Sequence, residues 1–279
     1  MQNQKITVPI IKNRKKENKK ITMLTAYDYP LAKLIDEVGV DIILVGDSLG
    51  MVSLGYESTI PVTMSEMLHH IKAVRRATRF SLLVGDMPFG SYNTFPQAIK
   101  NATKFMKAGC EAVKMEGGRE IRDIIEGLTK RGIPVIGHLG LTPQRISEFG
   151  GFKIQGRDKE SAEKISEDAF LLQQAGAFSI VLECIPRELA KSITEKLKIP
   201  TIGIGAGKYC DGQVLVTQDL LGFNEWTPKF VKKYTNLSEV ILKALRDYKE
   251  EVMANKFPAE EHSYDSPSQN SFRTVDYTD

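Results

Sequence analysis

The sequence lacks several features that would place it in common structural or functional classes. Its cysteines, Cys110, Cys184 and Cys210, are odd in number and form no C-x-x-C pair, so neither a disulfide framework nor a zinc knuckle is predicted. No stretch approaches the roughly 18 consecutive apolar residues of a membrane span. The N-terminal region, residues 1–20, has no apolar core of a secretory signal. These absences favour a cytoplasmic protein without a membrane partner.

Net charge is also small. The 279 residues carry a formal charge of +3, which predicts no general attraction to nucleic acid. The exception is a basic N-terminal arm, residues 1–20, with cations at Lys12, Arg14, Lys15, Lys16, Lys19 and Lys20. No aromatic residue is interspersed among them and no nucleic-acid-binding motif follows, so we interpret the arm as a solvated face. An RNA-binding scaffold built on this arm and the C-terminal tail is the non-enzymatic alternative.

The chain does contain a repeated pattern of apolar runs that end in a polar residue. The runs occupy residues 41–47, 81–86, 111–116, 133–138 and 178–183, and they end at Asp47, Asp86, Glu116, His138 and Glu183. They are rich in β-branched residues and too short for helices, which predicts buried strands. Segments with helical capping residues and glycine stops separate them.

This alternation predicts an α/β fold. Further strands are predicted at residues 21–26, 200–207 and 213–217, which brings the total to eight. Eight strands separated by helices predict a parallel sheet closed into a (β/α)₈ TIM barrel. An open doubly wound sheet is the alternative, but the first strand continues into Thr25-Ala26-Tyr27-Asp28 rather than a glycine-rich dinucleotide turn.

Three segments complete the predicted organisation. The barrel spans residues 21–254 and includes a C-terminal helical segment at about 237–254, expected to pack outside it. Residues 141–157 form a long polar excursion, and loops of this length are typically lids or binding loops. Residues 255–279 are rich in Ser, Pro, Asp and Asn, which predicts a disordered tail.

The residues at the strand ends predict a metal site. In a barrel enzyme the C-terminal strand ends line the active site, so Asp47, Asp86, Glu116 and Glu183 would lie there with Lys114 beside them. Crowded carboxylates must take up protons or share a cation, and oxygen ligands select a hard ion such as Mg²⁺ over Zn²⁺. The simpler alternative is that each acid caps the helix after its strand. Capping explains any single acid better than it explains the whole set.

Strand periodicity predicts which side chains share the barrel interior. Residues two apart point to the same side of a strand, so Lys114 and Glu116 are neighbours while Met115 faces the helices. By the same rule Glu183 points inward only if Cys184 does not. We therefore interpret Cys184 as a small apolar filler rather than a nucleophile.

Mg²⁺ beside a free carboxylate and a lysine suits chemistry next to a carbonyl group. A 2-oxo acid can chelate the metal through its carboxylate and keto oxygens. The metal then stabilises the enolate that forms when a base removes the adjacent proton. A carboxylate away from the metal would be that base, and Lys114 would neutralise substrate charge. These residues do not indicate which electrophile the enolate attacks.

Several motifs, in order along the chain, resemble the ketopantoate hydroxymethyltransferase family over about residues 5–264. They are Thr25-Ala26-Tyr27-Asp28-Tyr29, Val45-Gly46-Asp47-Ser48-Leu49-Gly50-Met51, Val113-Lys114-Met115-Glu116-Gly117-Gly118, Gly137-His138-Leu139-Gly140-Leu141-Thr142-Pro143-Gln144, Gly150-Gly151-Phe152-Lys153-Ile154-Gln155-Gly156-Arg157, Gly203-Ile204-Gly205-Ala206-Gly207 and Glu260-Glu261-His262-Ser263. The sequence departs from the family pattern at two places, and both departures are small. Met115 stands where Ile or Leu is expected, and the residues beyond Tyr264 lie outside the family pattern.

The resemblance implies a Mg²⁺-binding barrel that transfers a one-carbon unit from 5,10-methylenetetrahydrofolate to 3-methyl-2-oxobutanoate, giving 2-dehydropantoate. It also implies a homo-oligomer, a decamer. Carried over by motif, the implied metal site is Asp47, Asp86 and Glu116, completed by water. The implied contacts to the 2-oxo acid are Asp47, Ser48, Asp86 and Lys114. Glu183 is the implied proton acceptor, and His138 is expected near the new hydroxymethyl group.

Two other enzyme classes are compatible with the same features. A barrel of the phosphoenolpyruvate mutase and isocitrate lyase kind also enolises a 2-oxo acid on Mg²⁺. It would predict phosphonate or C–C lyase activity without folate and a reactive cysteine motif, which the sequence lacks. A phosphate-binding barrel would use Gly203–Gly207 to hold phosphate at a helix start, although glycine-rich turns equally serve close packing.

Overall fold

The described residues form eight parallel strands that close into a barrel. A computed structural model describes residues 4–151, 153–224 and 226–265. The strands are β1 (Ile21–Thr25), β2 (Ile42–Val45), β3 (Leu82–Asp86), β4 (Ala112–Glu116), β5 (Val135–Gly140), β6 (Ser179–Glu183), β7 (Thr201–Ile204) and β8 (Gly212–Leu215). They lie in sequence order, and β8 pairs with β1. The predicted (β/α)₈ TIM barrel is confirmed, and the open sheet is excluded.

Helices alternate with the strands. They are α1 (Val8–Lys16), α2 (Tyr29–Val38), α3 (Leu49–Val52), α4 (Met64–Ala77), α5 (Phe95–Lys107), α6 (Arg122–Thr129), α7 (Ile146–Phe149), α8 (Lys159–Gln174), α9 (Arg187–Lys196), α10 (Thr217–Leu221) and α11 (Leu237–Met253). Local sequence sets several of the ends. The Asp28 side chain accepts a hydrogen bond from the Leu31 N–H at the start of α2, and Gly39 ends that helix with φ 83°.

Helix α1 closes the N-terminal end of the barrel. Ile11 is fully buried and belongs to the cluster of apolar side chains that fills the barrel interior. Arg14 pairs with Asp41 just before β2, and Lys15 pairs with Asp211 just before β8. These two cations therefore hold α1 against the strand starts, whereas the interpretation from sequence was a solvated face. Other cations of the arm, such as Lys12, are exposed.

Helix α11 forms where the sequence predicts it but does not pack into the barrel. None of its described residues is buried. Beyond it, the chain continues to Asp265 and includes a short 3₁₀ turn at Glu260–His262. Residues 266–279 of the predicted tail lie outside the described residues. None of the helices described is long and apolar enough to cross a membrane.

The glycine-rich stretch after β7 does not begin a helix. Residues 205–211 form turns and lead directly into β8. Gly205 has φ +63°, and a Cβ atom there would lie 2.9 Å from the ring of Phe230. Glycine at this position therefore allows close packing, and the phosphate site at a helix start is not formed by the described residues.

Candidate active site

The barrel brings the predicted polar residues together at the C-terminal ends of consecutive strands. Asp86 and Glu116 are the last residues of β3 and β4, and Glu183 is the last residue of β6. Parallel register aligns Asp86 with Lys114, and Glu116 with His138. Asp47 follows β2 by two residues. All of these side chains except Glu183 are buried.

Lys114 lies between the carboxylates. Its Nζ donates hydrogen bonds to Asp86 Oδ1 at 2.8 Å and Oδ2 at 2.7 Å, and it lies 3.6 Å from Glu116 Oε1. Burial acts to lower the pKa of Lys114, but the charges of Asp86, Glu116 and Asp47 outweigh burial and raise the pKa overall. Lys114 is therefore an ammonium ion, and it compensates only part of the surrounding negative charge.

The buried acids respond differently to their surroundings. Burial raises the pKa of Asp47 well above its usual range, and the charges of Asp86 and Glu116 add to the shift. Burial also raises the pKa of Asp86, although the charge of Lys114 opposes it. For Glu116, burial is outweighed by the hydrogen bond and charge of His138 and by Lys114, so its pKa is lowered. Burial therefore opposes ionisation at Asp47 and Asp86 more than it does at Glu116.

His138 lies between two acids. Its Nδ1 is 3.2 Å from Glu116 Oε1, and its Nε2 is 3.2 Å from Glu183 Oε2. The second distance suits an ion pair, but Nε2 has no aligned hydrogen bond among the described residues. Burial and Lys114 act to lower the pKa of His138, yet the hydrogen bond to Glu116 and the nearby Glu183 carboxylate raise it to about 9. His138 is therefore a cation at neutral pH.

Glu183 is the most accessible acid of the group, with its side chain 15% exposed. Its backbone is fixed on both sides. The Leu141 N–H donates to the Glu183 carbonyl at 2.9 Å, and Cys184 adopts the left-handed region at φ 47°. Burial raises the pKa of the Cys184 thiol to about 12. Cys184 is thus a protonated thiol that turns the chain after Glu183, in agreement with its interpretation as a residue without nucleophilic character.

Ser48 stands at the start of α3, on the rim of the same site. Its Oγ lies 2.8 Å from the hydroxyl of Tyr27. The Tyr27 side chain is buried, which raises the pKa of its hydroxyl. The Tyr27 carbonyl in turn lies 2.6 Å from His70 Nδ1, which donates a hydrogen bond to it. Ser48 therefore has a fixed partner that remains a neutral phenol.

Two residues that connect these groups, Tyr92 and Gln144, were not among the predicted site residues. Gln144 follows β5 in a 3₁₀ turn, Pro143–Arg145, and contacts both Asp47 and Glu116. Tyr92 lies in the loop after β3 and contacts Gln144. Gln144 lies within a motif that carries the family resemblance, which was the available signal. No sequence pattern singles out Tyr92.

Donor type and charge at the site suit a hard divalent cation. Asp47, Asp86 and Glu116 offer only oxygen ligands, and burial raises the pKa of the first two. Over residues 4–151, 153–224 and 226–265, no group of three or more His, Cys, Asp or Glu side chains is already spaced to hold a metal ion. Mg²⁺ commonly binds one or two carboxylates and completes its shell with water. The three acids therefore fit Mg²⁺ by chemistry, with water supplying the remaining ligands.

Sequence comparison identifies relatives that match nearly the whole chain. Residues 5–260 match the family model described as ketopantoate hydroxymethyltransferase. The 3-methyl-2-oxobutanoate hydroxymethyltransferase of Syntrophomonas wolfei is 56% identical over 263 residues, covering 93% of this chain and 95% of the relative. That of Syntrophus aciditrophicus is 57% identical over 263 residues, covering 93% and 97%.

Structural comparison identifies the same fold in more distant proteins. Phosphonopyruvate hydrolase in complex with oxalate and Mg²⁺ aligns with a TM-score of 0.61 at 13% identity, covering 92% of this chain and 93% of that one. A 2,3-dimethylmalate lyase of the PEP mutase/isocitrate lyase superfamily aligns with a TM-score of 0.59 at 13% identity, covering 91% and 87%. These similarities show the fold alone.

Proposed function

The chain belongs to the ketopantoate hydroxymethyltransferase family, and we propose that its site uses Mg²⁺ and 5,10-methylenetetrahydrofolate for the reaction of that family. It is an enzyme that hydroxymethylates 3-methyl-2-oxobutanoate to 2-dehydropantoate, the first step of pantothenate biosynthesis. The observation that carries the proposal is the buried set of Asp47, Asp86, Glu116 and Lys114 at the C-terminal strand ends.

We assign metal binding to Asp47, Asp86 and Glu116, with water completing the shell. Bound Mg²⁺ would supply Lewis-acid stabilisation of negative charge on the keto oxygen of the substrate. The support is electrostatic, because burial raises the pKa of both Asp47 and Asp86, even though Lys114 pairs with Asp86. A divalent cation removes this cost by favouring the ionised carboxylates.

We assign substrate binding to Lys114 and Ser48, next to Asp47 and Asp86. Lys114 is a buried ammonium ion and neutralises the charge of the 2-oxo acid. The Ser48 hydroxyl, oriented by Tyr27, donates a hydrogen bond to the substrate carboxylate. Both groups are preorganised by partners within the barrel, which lowers the entropic cost of binding.

Glu183 is the proposed proton acceptor at C3 of the substrate. It ends β6, apart from the Lys114–Asp86 pair, and its side chain is the most accessible of the acids. His138 lies 3.2 Å from it and is a cation at neutral pH. The imidazolium therefore lies beside the proposed base, and it can donate a hydrogen bond to the new hydroxymethyl group.

Proton exchange and product formation test this proposal separately. In D₂O with Mg²⁺, the C3 proton of 3-methyl-2-oxobutanoate is expected to exchange for deuterium even without folate, which ¹H NMR detects. 2-Dehydropantoate is expected only after 5,10-methylenetetrahydrofolate is added. Product formed without the folate, or no product when both substrates and Mg²⁺ are present, would contradict the proposal. The phosphoenolpyruvate mutase alternative shares the fold, and no feature of the site favours it.

The proposed assembly is a homo-oligomer, and a decamer is the state that the family resemblance implies. Its support is α11, which carries an apolar stripe of Ile241, Leu245, Tyr248 and Val252 with no buried residue. An amphipathic helix whose apolar stripe is left unburied by the described residues is typical of a subunit contact.

The proposed compartment is the cytoplasm. Cys110, Cys184 and Cys210 are all free thiols. Unpaired cysteines are typical of proteins kept in a reducing environment. The substrates of the reaction are small molecules, and no nucleic-acid partner is proposed.

A further inference from the structure

Gln144 joins carboxylates that come from two different strands, and we propose that it is a positioning residue for Asp47 and Glu116. Gln144 is only 4% exposed although it lies outside the regular elements of the barrel. The inference rests on the proposed function for the roles of Asp47 and Glu116. It adds a residue that touches neither substrate nor metal and acts through the groups that do.

Every polar atom of the Gln144 side chain has a partner. Nε2 donates to Asp47 Oδ2 at 2.8 Å and to the Met87 carbonyl at 2.9 Å, and Oε1 accepts from the Tyr92 hydroxyl at 2.7 Å. The backbone N–H of Gln144 donates to Glu116 Oε2 at 3.0 Å. A single residue after β5 therefore holds an acid that follows β2 and an acid that ends β4.

The surroundings allow only one orientation of the amide. Nε2 faces two acceptors, the Asp47 carboxylate and the Met87 carbonyl, so a flipped amide would place Oε1 against both. Tyr92 lies at the other end, and its hydroxyl is closer to Oε1, at 2.7 Å, than to its other acceptor, the Glu116 carbonyl, at 3.2 Å. Glutamate has no N–H donor, and asparagine is one methylene group shorter. Glutamine is thus the side chain that satisfies all three contacts.

These hydrogen bonds distinguish the two carboxylate oxygens of Asp47 and of Glu116. Gln144 occupies Asp47 Oδ2, whereas Asp47 Oδ1 accepts no hydrogen bond from any described residue. The same turn occupies Glu116 Oε2 and leaves Oε1 towards Lys114 and His138. Gln144 therefore determines which oxygen of each acid is left for other ligands. Because it lies within residues 141–157, it also ties the start of that segment to the carboxylates.

Gln144→Leu tests the proposal, since it keeps the approximate size of the side chain and removes its hydrogen bonds. Outer hydrogen bonds to metal-binding carboxylates typically contribute about 10- to 100-fold in metal affinity or activity, so a loss of that size is expected in both Mg²⁺ affinity and kcat. Mg²⁺ affinity is measured by calorimetry on the full chain without substrates, and Tm confirms that the variant folds. The KM for the folate is expected to stay unchanged.

Gln174→Leu is the matched control. It is the same substitution at an exposed position, the last residue of α8, away from the candidate site. Its Mg²⁺ affinity and kcat are expected to stay within about twofold of the wild-type values, since surface substitutions have small effects. A folded Gln144→Leu protein that behaves like this control would overturn the proposal.

Tyr92→Phe keeps the proposal testable if Gln144→Leu does not fold. It removes the hydroxyl that fixes the amide, and one neutral hydrogen bond corresponds to roughly a fivefold loss in Mg²⁺ affinity. Unchanged affinity in Tyr92→Phe would contradict the proposal. Lack of Mg²⁺ binding by the wild-type protein would instead contradict the proposed function. The role of Gln144 is then decided by kcat and by the KM for the 2-oxo acid.

Discussion

At the scale of single residues, the site holds more carboxylates than cations. Among the described residues, the cations beside its four acids are Lys114 and His138. Burial strengthens each charge interaction, because little water remains to screen it. The roles of individual groups therefore depend on small differences in position, and substitution of one group changes the charge state of its neighbours.

Glu183→Gln is expected to abolish exchange of the C3 proton. The amide is nearly isosteric with the carboxylate but cannot accept a proton, and loss of a general base typically lowers kcat by about 10²- to 10⁴-fold. Exchange is measured by ¹H NMR in D₂O with Mg²⁺ present. Glu188→Gln, at an exposed position on α9, is the matched control and should exchange at the wild-type rate. Survival of exchange in Glu183→Gln would show that another group is the base.

His138 predicts a pH dependence of stability. Its folded-state pKa is raised from 6.5 to about 9, so the stabilisation from its charged form is fully present below about pH 6.5 and is lost as pH rises through 9. The free energy of unfolding in EDTA is expected to fall over this range, on the order of 3 kcal/mol, more in the wild type than in His138→Asn. His69→Asn, on the exposed face of α4, should retain the wild-type slope. Equal slopes in all three proteins would contradict the assignment.

At the scale of elements, local signals predicted the strands and most helices. Runs such as Ile42–Val45 are fully buried, so their apolar pattern alone marks a strand. Helix α1 was not predicted, because its four cations obscure the burial of Ile11 in the barrel interior. That burial depends on closure of the barrel. The role of Tyr92 could not be predicted from local sequence either, since it depends on where β4 and β5 lie relative to its loop.

Ile11→Ala is expected to destabilise the protein through the barrel interior. Removing buried methyl groups from a fully buried isoleucine typically costs about 2–5 kcal/mol, although Ile11 lies in the N-terminal arm. Denaturant unfolding measures the change. Lys12→Ala, the next residue on the same helix and exposed, should change stability by less than about 0.5 kcal/mol. If both variants have equal stability, α1 does not close the barrel.

At the scale of the whole molecule, α11 determines the expected assembly. Leu245→Lys places a charge in the apolar stripe and is expected to shift the protein to smaller species, because burial of an unpaired charge opposes association. Analytical ultracentrifugation measures the shift. Glu250→Lys introduces the same residue on the opposite, polar face of α11 and should leave assembly intact. Identical sedimentation of both variants and the wild type would exclude α11 from the subunit contact.

The closed base of the barrel also has a consequence for biosynthesis. Lys15 pairs with Asp211, which is 196 positions later, and β1 pairs with β8. A ribosome releases the start of the chain long before it has made these partners. The nascent chain therefore carries Ile11 and the edge of β1 uncovered until β8 emerges. Such long-range pairing slows folding, and the open edge is where a chaperone or a neighbouring nascent chain would bind first.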